Sequence, residues 1–167
     1  MGVILDLDQT IVDSNSALTL RTNRNWQAVY KKIPEFTIYK GILASFRFLE
    51  ENKIKIVVVT SSPKVYCEKV LSHFKLQVQG IVGFHDTQRR KPHPDPILKA
   101  IQLLAEPSDK ILSFGDQPND IIASRDANVF AVACLWGCAD KEALTNCNPD
   151  FLIESPEKII EVCNARL

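Results

Sequence analysis

The chain has 167 residues, room for one domain (1–167) with a sizeable core. It is 46% hydrophobic and 24% charged, and twenty basic against twenty acidic residues give a formal net charge of zero, which argues against a generally basic nucleic-acid binder. No apolar run approaches the roughly 20 residues that span a bilayer, so no membrane role is expected.

The N-terminus carries neither a signal-peptide nor a myristoylation pattern, because strand-like apolar residues lead directly into Asp6. Five cysteines, Cys67, Cys134, Cys138, Cys147 and Cys163, form an odd set without tight pairs. That usage points to a reducing, cytoplasmic setting, and the C-x-x-x-C spacing of Cys134 and Cys138 matches no strong zinc signature.

In chain order, the run Val3-Ile4-Leu5 opens a strand and Asp6-Leu7-Asp8-Gln9-Thr10 closes it. Two residues apart on a strand, Asp6 and Asp8 share a face about 6.6 Å apart along its axis. Ionised together they repel by roughly 2.5 kcal/mol at an effective dielectric of about 20, so a cation, or a proton held on one of them, must offset it. Residues 15 to 32 are expected to form one or two short helices ended by Pro34, with Trp26, Val29, Tyr30 and Ile33 at helical spacing. A helix follows Gly41 and closes near Asn52, and Ile54 to Val59 read as a central parallel strand. Ser62-Pro63, Asp95-Pro96 and Ser155-Pro156 each predict a helix start with a capping residue before proline. Apolar runs at 80–84, 111–114, 129–134 and 151–153 supply further strands. The alternation predicts an α/β fold in three layers, a Rossmann-like parallel sheet between helices.

Ligands in such sheets sit at the carboxyl ends of the strands. The first strand delivers Asp6 and Asp8 there, and the second delivers Thr60 and Ser61, whose hydroxyls and backbone N–H groups suit an anion. The stretch His85 to Pro96 is a proline-stiffened loop, expected to be extended, that presents Lys91. The fourth run delivers Gly115-Asp116 with Asp120 four residues on. Carboxylates from separate strand ends suit Mg²⁺, and Mg²⁺, Lys91 and Thr60 together suit a phosphate.

These motifs resemble the haloacid dehalogenase (HAD) superfamily, in its phosphatase branch. Asp6-Leu7-Asp8-Gln9-Thr10 matches D-x-D-x-T, Thr60 the second motif, Lys91 with its Pro-x-Pro continuation the third, and Gly115-Asp116 with Asp120 the fourth. The resemblance implies that Asp6 is a nucleophile forming an aspartyl-phosphate and that Asp8 is the general acid and base. It also implies that Asp6, the Asp8 carbonyl and Asp116 hold Mg²⁺, with Asp120 behind them or in their place, while Thr60 and Lys91 bind the phosphoryl oxygens; Ser61 is a phosphate-binding candidate by its place beside Thr60. The second carboxylate, Asp8, favours phosphate esters over organic halides.

Residues about 14 to 40 then form a small helical cap insert. Arg21, Arg24, Lys31 and Lys32 make it basic, and Arg21, Arg24 and Trp26 are the candidate substrate-selecting residues. Trp26 and Tyr30 either stack on a base or pack the insert onto the main body. His85 and His93 are read as loop-ordering groups and His73 as structural. The expected function is a Mg²⁺-dependent phosphatase for a small phosphorylated molecule, a nucleic acid entering only as substrate. With so small a cap, the cleft is either open to a bulky ester or covered by a second subunit. A phosphomutase or phosphotransferase must exclude water, for which this insert offers little enclosure. A silent phosphate-recognition module would lack a motif residue, and none is missing.

Overall fold

The computed structural model describes residues 1–166. Its centre is β1 (Gly2–Leu5), buried along its whole length as a strand covered on both faces must be. A two-stranded antiparallel ribbon, β2 (Val12–Asp13) with β3 (Thr37–Ile38), follows. Between its strands lie two single 3₁₀ turns, at Asn15–Ala17 and Ile33–Glu35, and two short helices, α1 (Leu18–Thr22) and α2 (Trp26–Lys32). The rest alternates: α3 (Ile42–Glu51), β4 (Lys55–Val59), α4 (Lys64–His73), β5 (Gly80–Val82), α5 (Asp95–Leu104), β6 (Ile111–Gly115), α6 (Pro118–Asp126), β7 (Phe130–Cys134), α7 (Lys141–Asn146), β8 (Phe151–Ile153) and α8 (Lys158–Asn164).

Six strands form one parallel sheet in the order β5-β4-β1-β6-β7-β8. Side chains alternate across it. Val3, Leu5, Val58, Leu112 and Phe114 pack on one face with α3, α4 and α8, whereas Ile4, Val57 and Val59 pack on the other with Ile97 and Leu104 of α5 and Ala123 of α6. The three-layer α/β arrangement is the one the alternation predicts. After β5 the chain crosses back to lay β6 on the opposite side of β1, so strand order reverses at β1, where such sheets open a crevice.

Local structure departs from expectation at several ends. α4 begins at Lys64 and α8 at Lys158, each later than its Ser-Pro pair, and Ser62 makes no cap bond to α4. Proline tolerates a first helical turn without fixing where that turn starts. The left-handed residue after α3 is Lys53, at φ +55°, with Asn52 before it in an ordinary conformation. Asn128, after α6, adopts a left-handed conformation, φ +57°, which asparagine tolerates. Sequence reading also missed α7 and the β2–β3 ribbon, which are too short for either periodicity to register.

Gly115 closes β6 where α6 folds back onto the strand. A Cβ there would lie 2.3 Å from Asp120 Cβ and 2.5 Å from its Cγ. Gly115→Ala is therefore expected to destabilise the protein by about 1–3 kcal/mol through overpacking, read as a lower urea midpoint with an unchanged slope.

Candidate active site

The register brings the first residues past β1, β4 and β6 to one level. Leu5 pairs with Val58 and Phe114, and Asp6 N–H donates to the Phe114 carbonyl at 2.9 Å. Asp6 thus stands between the ends of β4, leading into Thr60, and β6, leading into Asp116. A cavity of about 330 Å³ opens over them, lined by Asp6, Asp8, Thr60, Ser61, Lys91 and Asp120 from the sheet side and by Arg21, Arg24 and Trp26 from the insert.

Lys91 holds the acidic side together. Its ammonium donates to Asp6 Oδ1 at 2.8 Å, to Asp120 Oδ1 at 2.5 Å and to the Val59 carbonyl at 3.1 Å, so all three of its protons are engaged. Those carboxylates keep it charged to a higher pH than an ordinary lysine, against the effect of burial. Asp120 Oδ2 accepts from Gln117 N–H at 3.0 Å, tying it to the start of α6 as the helix dipole favours. Asp116 accepts from the Thr10 hydroxyl at 3.0 Å.

One cation is too little for this group. Burial, and then the neighbouring Asp120, push the Asp6 carboxyl up to about 7 against the pull of Lys91. Burial, with Asp6 and Asp120 beside it, pushes Asp116 up to about 8. Asp6, Asp116 and Asp120 each offer an oxygen within 4.8 Å of the others. Hard oxygen donors that lack compensating charge fit a divalent cation such as Mg²⁺.

β1 ends at Leu5, and the chain turns through Gln9 at φ +68°. Asp8 lines the same cavity as Asp6 but has its own set of partners. Oδ1 accepts from the Ser14 and Tyr66 hydroxyls, both at 2.6 Å, and Oδ2 from the Ser62 hydroxyl at 3.2 Å. Arg21 Nη1 lies 3.0 Å from Oδ2 as an ion pair. Each carboxylate of the first motif therefore has its own cation, and that is how their repulsion is relieved. Ser14, Ser62 and Tyr66 were not foreseen in this role. The available signal was Tyr66 itself, a hydroxyl on the buried face of α4 that must find a partner.

The turn carrying these carboxylates is braced from the β7–α7 loop, another contribution that sequence alone did not suggest. Trp136 Nε1 donates to the Thr10 carbonyl at 3.0 Å, and a Cβ on Gly137 would sit 1.8 Å from the Gln9 carbonyl oxygen. Only glycine allows so close an approach.

Other expectations need correction. Lys91 is not extended: His93 N–H donates to the Arg90 carbonyl at 2.8 Å, closing a turn that the prolines permit. Arg90 stacks 4.3 Å over Phe84, and Arg89 pairs with Asp95. His93 Nδ1 lies 3.1 Å from Asp95 Oδ1 at the start of α5. Of the basic insert residues only Arg21 and Arg24 line the cavity; Lys32 pairs with Glu35, and Lys31 is exposed. Trp26 both lines the cavity and packs on Tyr66, with ring centroids 5.6 Å apart.

Residues 18–134 match the model of the haloacid dehalogenase-like hydrolase family. A provisionally named pyrophosphatase PpaX of Caldanaerobacter subterraneus subsp. tengcongensis is 37% identical over 142 residues, covering 84% of this chain and 62% of that protein. A phosphoglycolate phosphatase of Pseudomonas syringae pv. syringae is 26% identical over 161 residues, covering 95% of this chain and 58% of that one. The chain thus spans about three fifths of the length of these two relatives. The crystal structure of a hydrolase from Pseudomonas syringae superposes with a TM-score of 0.84 at 20% identity, covering 98% of both chains, and shares the fold.

The raised carboxyls generate a pH dependence. An ordinary aspartate titrates at 3.8, so between that value and about 8 the folded protein keeps protons that the unfolded chain has released. Stability is full at the acid end of that window and lost as pH rises through it. The thermal midpoint of metal-free protein is expected to fall between about pH 5 and pH 8.5. Mg²⁺ should recover it at the alkaline end, and Asp116→Asn should both flatten the fall and blunt the recovery. A midpoint indifferent to Mg²⁺ at alkaline pH would refute the cation site.

Proposed function

Because this chain belongs to the haloacid dehalogenase-like hydrolases, we propose that it is a Mg²⁺-dependent phosphatase acting on a small phosphate ester or anhydride. The relatives named as pyrophosphatase and phosphoglycolate phosphatase favour such a substrate. The observation that carries the reading is that the two first-motif carboxylates line one cavity on different partners: Asp6 in the acidic cluster on Lys91, Asp8 among three hydroxyls and Arg21. Two carboxylates in different surroundings suit two different tasks.

Asp6 attacks phosphorus, and the bond to the leaving oxygen breaks. Asp8 gives that oxygen a proton. A water then attacks the aspartyl-phosphate while the Asp8 carboxylate takes its proton, so that inorganic phosphate leaves and Asp6 is restored. Thr60 and Ser61 line the cavity beside Asp6 and bind the phosphoryl oxygens; Lys91 keeps Asp6 oriented and reaches those oxygens by giving up one of its present acceptors. Asp6, Asp116 and the backbone carbonyl of Asp8 would hold Mg²⁺, with Asp120 behind them on Lys91. When bound, the ion supplies positive charge for the phosphoryl oxygens. The odd cysteine count supports a cytoplasmic setting, and no helix among the described residues is long and apolar enough to cross a membrane.

Phosphate release from a panel of esters and anhydrides, with and without Mg²⁺, tests the proposal. Asp6→Asn is expected to abolish release with the fold retained, and Asp8→Asn to slow it by about 10²- to 10⁴-fold. Normal turnover by well-folded Asp6→Asn protein would remove the covalent route.

A further inference from the structure

Arg21 projects from α1 and is not the solvated cation its place in a basic insert suggests, since its side chain is only 14% exposed. Nη1 sits on Asp8, but Nε is buried and has no hydrogen-bond partner among the described residues. A buried guanidinium N–H without an acceptor is unfavourable. The arrangement is therefore one acceptor short, at a residue that lines the cavity. Arg24 lines the same wall, and the insert's one carboxylate, Glu35, is occupied by Lys32. This wall presents two cations and lends no carboxylate of its own.

The hydrogen-bond chemistry of Asp8 bears on the same residue. Nη1 of the same guanidinium is held by Asp8 Oδ2, so Nε is the donor left over.

Resting on the phosphatase reading, we propose that Arg21 is a specificity-determining residue that binds a second anionic group on the leaving side of the substrate, a carboxylate or a further phosphoryl group. That group provides the acceptor that Nε lacks, while Nη1 stays on Asp8. Preferred substrates are then small phosphate compounds bearing a second negative charge close to the scissile bond.

The test compares kcat/KM in Mg²⁺ for two pairs, carboxymethyl phosphate against ethyl phosphate and pyrophosphate against methyl phosphate, with wild type, Arg21→Met and Arg21→Lys. Binding of the same four compounds to Asp6→Asn protein, with and without Arg21→Met, is measured by calorimetry. Wild type is expected to favour the charged member of a pair. Arg21→Met should cut that preference by about 10- to 100-fold, mainly through KM, and Arg21→Lys should retain part of it. The affected pair tells whether the second group is a carboxylate or a phosphoryl group. No preference in wild type, or equal losses on both members, would overturn the assignment. Arg21-dependent binding preference without phosphate release would uphold it and remove the phosphatase reading; release without preference would do the reverse.

Discussion

Four carboxylates, Asp6, Asp8, Asp116 and Asp120, are buried at the carboxyl edge of one parallel sheet, and two cations, Lys91 and Arg21, face them. That imbalance governs the site. Lys91 has spent its three protons, and burial with mutual repulsion raises the Asp6 and Asp116 carboxyls well above the ordinary aspartate range. Uncompensated buried charge is costly to any fold and is retained where it has a use. Here it leaves the cluster receptive to further positive charge.

The backbone makes this crowding possible. Gly115 lets α6 close onto β6, so that Asp120 reaches Lys91 while its second oxygen caps the helix. Trp136 and Gly137 hold the turn at Gln9 from the far side, and Thr10 extends from that turn to Asp116. Loops after β1, β6 and β7 therefore set one another's positions. A site built on strand ends inherits the rigidity of the sheet, and only its roof comes from the small insert.

That roof is also joined to the chemistry. The insert reaches Asp8 through Ser14 at its start and through Arg21 on α1, while Ser62 approaches from the β4–α4 turn and Tyr66 from α4. Anything that displaces α1 changes the surroundings of Asp8 directly. With Arg21 and Arg24 on one wall and the acidic cluster on the other, the cavity is polarised along its length.

Much of this was legible in the chain itself. Alternating apolar runs and helix patterns specify a parallel α/β sheet because both kinds of element must bury one face. The positions of Asp6, Asp8, Thr60, Lys91, Asp116 and Asp120 just past apolar runs put them at its carboxyl edge. Sequence could not show that the turn at Gln9 rests on Trp136 and Gly137, about 127 residues away along the chain. Nor could it show that Ser62 serves Asp8 rather than capping α4, that Tyr66 joins it, or that Arg21 turns inward while Lys31 faces solvent. Residue type and spacing determined which groups the strand ends present. Which cation each carboxylate received was decided only by packing between distant segments, since charge pairing depends on distances that local pattern does not encode.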